Sequence, residues 1–137
     1  MSVFQPVRNA VNGIAAVSGK VYHAEALKNA SAPFVFWLQN GEQYEQTLEG
    51  RTELGEDHYE LHIVTKNLED LDSISASVRE AAEALQGTEV NGVLYEGIEI
   101  SQSSPVLNEH EVNLYRKVYE ITIFYQGEPS GGDLPSA

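Results

Sequence analysis

Two periodicities divide the chain. From Leu114 to Tyr125 the run Leu-Tyr-Arg-Lys-Val-Tyr-Glu-Ile-Thr-Ile-Phe-Tyr places Tyr115, Tyr119, Ile121, Ile123 and Tyr125 on one parity and Arg116, Glu120 and Thr122 on the other. Alternation in β-branched and aromatic residues predicts a long, half-buried strand. At roughly 3.4 Å per residue it runs about 35 to 40 Å, enough to template shorter strands. The same alternation returns in Tyr59, Leu61 and Ile63. Phe34 to Gln39 differs, because Phe34, Phe36 and Leu38 are apolar on one parity and Val35 and Trp37 on the other. That pattern fits a strand covered on both faces or lying against another subunit.

The helical period appears twice. Phe4, Val7, Val11 and Ile14 recur at helical spacing, Pro6 fits a first turn, and Asn12-Gly13 and Ser18-Gly19 weaken and then stop the pattern. A helix is expected over 4–16. The second has Asn67 as its N-cap and Glu69, Asp70 and Asp72 where the helix dipole favours negative charge. Leu71, Ile74, Val78, Ala81, Ala82 and Leu85 form its apolar face, and Gly87 stands where a left-handed C-terminal cap belongs.

The remaining stretches are connectors and short strands. Lys20 to His23 reads as a strand, Ala24 to Ala32 as a small-residue loop, and Asn40-Gly41 as a hairpin turn signal. Residues 41–57 carry Glu42, Glu45, Glu49, Glu53, Glu56 and Asp57 against Arg51 alone, a polar loop or flexible hairpin with little apolar surface to bury. Glu89 to Val93 is a short hairpin, Gly97 to Ile100 a strand that should pair with the last one, and Pro105 to Asn113 a connection. From 127 to 137 glycine, proline and serine dominate, and disorder is expected. Residues 1–126 therefore predict a single α+β domain: a mostly antiparallel sheet of four to six strands with two helices packed on one face. The other face is left to meet water or a neighbour.

Composition narrows the function classes. Twenty-one acidic residues against eight basic ones give a net charge of -13, which repels phosphate backbones, so no nucleic-acid binding is expected. There is no cysteine, hence no disulfide framework and no thiolate chemistry. The longest apolar run, Phe34 to Leu38, is too short to span a bilayer, and a soluble cytoplasmic chain is expected where it is made. His58 and His62 share a strand parity, but positions four apart lie roughly 13 Å from each other, too far for one metal. His110 between Glu109 and Glu111 reads as a solvated loop residue, and no nucleophile elbow, phosphate loop or dinucleotide fingerprint is present. No cofactor is implied.

Lys20-Val-Tyr-His, Ala32-Pro-Phe-Val-Phe-Trp-Leu, Glu60-Leu-His-Ile-Val, the helix Leu71 to Leu85, Val90-Asn-Gly-Val into Gly97-Ile-Glu-Ile, and Leu114-Tyr-Arg-Lys-Val-Tyr-Glu-Ile-Thr-Ile together resemble, in order and spacing, the phage tail completion family. The resemblance covers about residues 3 to 126 as a pattern. The chain departs from that pattern in the acidic 41–57 stretch and in Ser103 to Asn113. It implies a structural protein without an active site: a ring, commonly of six copies, at the head–tail junction of the virion. Such a ring caps the tail tube and joins it to the head connector. Its partners would be itself, the tail tube protein and the connector or stopper protein. On this reading Phe36, Trp37 and Tyr125 supply the lateral ring contact, and the loop around Gln43, Tyr44 and Arg51 the axial one. A small-ligand-binding or enzymatic α+β module with an unrecognised pocket is the second reading.

Overall fold

The computed structural model describes residues 3–24, 31–47, 50–109 and 113–127. Helix α1 is Gln5–Asn12, followed by strands β1 (Val21–His23), β2 (Phe34–Thr47) and β3 (Gly50–Thr65). Helix α2 is Leu68–Glu83, and β4 (Glu89–Val90), β5 (Val93–Gln102), β6 (Leu107–Glu109) and β7 (Leu114–Gln126) complete the order. One seven-stranded sheet runs β1-β2-β3-β7-β5-β4, with β6 added to β7. Only β1 and β2 are parallel, so the sheet is mixed and mostly antiparallel. It exceeds the four to six strands expected because Glu89–Val90 and Leu107–Glu109 pair as strands of two and three residues.

Local sequence explains most boundaries. Asn67 caps α2 by accepting the Asp70 N–H at 2.8 Å, and Leu71, Ile74, Val78 and Ala82 are its buried face. Asn91 (φ 51) and Gly92 (φ 84) are both left-handed, the backbone a two-residue turn needs to join β4 to β5. Helix α1 is shorter than the 4–16 expected. Past Asn12, Ile14 turns extended, and a separate 3₁₀ turn spans Ala15–Val17. The Asn12 side chain accepts the Gly19 N–H at 2.7 Å instead of supporting further helix.

Asn40-Gly41 is not a turn. Strand β2 runs through it, with a register irregularity between Gln39 and Gly41 that leaves Asn40 without an opposite residue, as in a β-bulge. Residues 41–47 and 50–57 are accordingly strand and not loop, with the ladder reaching Thr47↔Gly50. Pairing satisfies the backbone without apolar burial, which is why composition alone misreads the stretch. Strand β7 supports β3 only as far as Leu54↔Gln126, so the last residues of the hairpin form a two-stranded arm beyond the sheet.

A single buried cluster joins both helices to one parity of the strands. It takes Val7 and Val11 from α1, Leu71, Ile74 and Val78 from α2, and Tyr59, Leu61, Ile63, Tyr119, Ile121, Ile123 and Tyr125 from β3 and β7. The odd parity expected for β7 is thus the buried one. Residues 25–30 of the expected small-residue loop, residues 48–49, His110 and the tail from 128 lie outside the described residues.

Candidate functional site

Strand register arranges the even parity into rows that cross the sheet. Phe34, Val64, Arg116 and Leu107 form the first, and Phe36, His62 and Val118 the second, with Tyr22 of β1 beside Phe36. Leu38, Glu60, Glu120 and Ser101 follow, then Gly41, His58, Thr122 and Glu99. Phe34 (8% exposed), Val64 (4%) and Val118 (6%) are buried yet stand outside the core cluster. This outward face is therefore apolar at one end and acidic towards the other.

Rings hold the apolar end together. Phe36 stacks on His62 with centroids 4.3 Å apart and planes at 12°, and Phe34 lies 6.3 Å from both Tyr22 and Phe36. Burial pulls the His62 pKa below its usual value, opposed by Glu60, whose carboxylate meets Nε2 at 3.0 Å. His62 Nδ1 is buried without a hydrogen-bond partner, which fits a neutral ring packed as an aromatic.

At the acidic end His58 Nε2 meets Glu56 at 2.8 Å and His58 Nδ1 meets the Thr122 hydroxyl at 3.2 Å. A depression of about 270 Å³ lies there, lined by Asn40, His58, Tyr59, Glu120, Ile121 and Thr122. Acid, base and hydroxyl in a row is the order that activates a nucleophile. What it lacks is an oxyanion site: His58 and Thr122 are directly paired on two interior strands, whose N–H groups are committed to the ladders. Among the described residues no group of three or more His, Cys, Asp or Glu could hold a metal.

On the core side Asp57 (4% exposed) accepts from the Tyr59 hydroxyl at 2.9 Å and from the Tyr125 hydroxyl at 3.2 Å. Burial, then the Asp57 charge, push the Tyr59 phenol far above its ordinary range and Tyr95 up to about 12. Gly55 leaves room for this cluster, since a Cβ there would overlap the Tyr125 ring.

The three residues expected to share a lateral contact are therefore separated. Phe36 lies half-buried on the outward face. Trp37 packs on the core side, 4.5 Å from Phe4 and 4.8 Å from His23. Tyr125 is 2% exposed and cannot reach a neighbour, because its parity is the core parity and its hydroxyl is needed by Asp57. Gln43, Tyr44 and Arg51, expected on a loop, are strand residues paired with Glu56, Gly55 and Gln46.

The fold has a solved counterpart. A chain from a structure described as the virion of a native gene transfer agent (GTA) particle matches with a TM-score of 0.63 and 13% identity, over 92% of this chain and 96% of that one. No family model and no curated protein matches. What the likeness shows is a shared fold over nearly the whole of both chains. Sequence reasoning missed Asp57 as a buried acceptor. Its only signal was parity, since Asp57 falls in step with Tyr59, Leu61 and Ile63.

Proposed function

We propose that this chain is a virion structural protein of a phage-like particle that caps the tail tube as a ring and joins the tail to the head. The supporting observation is the near full-length fold match to a chain of a virion. The outward face adds to it: aromatic residues stand on a sheet surface that the core does not use, as a subunit that packs against its own kind requires. On this reading both helices cover the same face, the face with Phe36 makes the lateral contact, and the β2–β3 hairpin around Gln43, Tyr44 and Arg51 makes an axial one. The ring acts without catalysis.

A tube presents the same surface after each added layer, so growth stops only when its end is bound by something with a different upper surface. Deleting the gene should leave filled heads and unjoined tails, some of them overlong, in electron micrographs. Normal joined particles would overturn the reading. The row of Glu56, His58 and Thr122 beside a depression supports a second reading, a small-ligand site. That reading requires His58→Ala to abolish a function that the deletion also abolishes, while leaving assembly intact.

A further inference from the structure

We infer that the apolar end of the outward face is a docking surface whose occupant is the acidic β5 edge of a second copy of this chain. The inference deepens the capping-ring reading and rests on it for the closure of the ring.

The receiving surface combines exposed apolar area with positive charge. Among the described residues the exposed large hydrophobics are Leu68 (48%), Leu107 (40%) and Val106 (37%). Leu107 ends the first row beside Arg116 and Val64, and Leu68 opens α2 just past the end of β3. Lys20 precedes β1, with its carbonyl taking the Val35 N–H, and Arg8 reaches the Val21 carbonyl at 3.5 Å. Among the described residues the Lys20 ammonium has only a long contact, 3.4 Å to the Ser31 carbonyl, which a carboxylate would readily replace. Among the described residues up to 41, Arg8 and Lys20 are present with no Asp or Glu to offset them.

The occupant is marked by the opposite sign and by an open strand edge. No Lys or Arg occurs between Arg79 and Arg116, while Glu80, Glu83, Glu89, Glu96 and Glu99 are all exposed. Glu80 and Glu83 sit towards the C-terminal end of α2, where the helix dipole disfavours negative charge and the last turn holds no basic residue. Strand β4 and the Gly87-Thr88 backbone cover Val93, Leu94 and Tyr95 of the β5 edge. The Ile98 N–H points away from β7 to Gln86 Oε1 at 3.0 Å, so Ile100 and Gln102 present their backbone groups to the same side, an edge open to a partner among the described residues.

Charge chooses the partner. Copies of a chain at -13 repel one another in most orientations, and apposing these two surfaces brings unlike signs together. Strand β1, with Lys20 before it, and strand β5 lie on opposite sides of β3 and β7 in the sheet order, while β6 with Leu107 shares the β5 side of β7, so a contact from the β1 side of one copy to the β5 edge of the next is head-to-tail and repeats into a ring or a filament.

The test is sedimentation of the full chain with charge reversals. Wild-type protein at about 0.5 mM and about 50 mM salt should assemble, and the assembly should loosen as salt rises. Lys20→Glu, or Glu96→Lys with Glu99→Lys, should weaken association about tenfold or more, and all three together should restore it. The glutamate pair is the sharper arm, because a less negative chain would associate more tightly through any contact that does not use this edge. Thermal melts of each variant establish that it is folded. A wild-type chain that stays monomeric, a glutamate variant that assembles as well or better, or a triple variant no better than its parents overturns the inference. In the last two cases an assembly persists and the ring reading survives. Joined particles after gene deletion overturn that reading and leave this contact standing.

Discussion

Phe36 and Trp37 are neighbours on one strand, and the sheet sends them to different fates. Trp37 enters the layer where Phe4 lies 4.5 Å from both its ring and that of Tyr59, and where Asp57 matches two tyrosine hydroxyls. Phe36 enters a layer whose partners are His62 and the rings of Phe34 and Tyr22. Folding accounts for the first face, since removing its apolar area from water stabilises the chain. It does not account for the second, where Leu38 and Phe36 stay half-exposed and Leu107 is exposed. Apolar residues on the face that the core leaves unused point to a contact made after folding.

Substitutions on the core face should give the largest effects. Ile121→Ala removes a fully buried side chain and should cost about 2 to 5 kcal/mol, as should Leu61→Ala, in denaturant melts. Losses below about 1 kcal/mol for both would show that the face assignment is inverted. Asp57→Ala comes next, at about 2 to 3 kcal/mol, because it leaves the Tyr59 and Tyr125 hydroxyls buried without this acceptor. Asp57→Asn keeps an acceptor and should lose less; equal losses would mean that charge and not hydrogen bonding matters there.

Parity made the core legible. Tyr119, Ile121, Ile123 and Tyr125 follow directly from alternation, as does the face of α2 from its helical period, and Asn67 and Asn91-Gly92 were readable because their backbone roles are local. Asn40-Gly41 reads as a turn only while it is considered alone, and of the two alternatives for 41–57, a polar loop or a flexible hairpin, the strands follow the hairpin. Pairing with β3, itself held by β7, carries the strand through Asn40-Gly41. Tyr125 was assigned to a surface although its parity already placed it with Ile121 and Ile123, and Asp57 was counted as solvated although it follows the same rule.

The two faces should also titrate differently. His62 has a pKa lowered by burial, so the unfolded chain binds the extra proton first, and stability falls as pH drops below the ordinary histidine value of 6.5. His62→Phe should flatten that slope in melts between about pH 5 and 7; an unchanged slope would place its source elsewhere. Tyr95 works at the other end of the scale and on the core face. Its folded pKa is raised from 10.0 to about 12, so stability is complete below 10.0 and is lost as pH rises towards 12. Tyr95→Phe should reduce the alkaline slope even though it also removes the hydroxyl's bond to the Val3 carbonyl.

The smallest stability change should come from an exposed apolar residue at the end of the outward face's first row. Leu107 is 40% exposed on a three-residue strand, so Leu107→Ser removes little buried area and should shift stability by no more than about 0.5 kcal/mol. If the outward face exists for contact, the same change should still weaken self-association, because the area that Leu107 contributes is buried only when a second copy arrives. Melting and sedimentation of one variant therefore separate the two roles. A loss of stability as large as that of Ile121→Ala would make Leu107 part of the fold's own core. Unchanged association would remove the apolar contribution from the contact and leave charge alone to hold it.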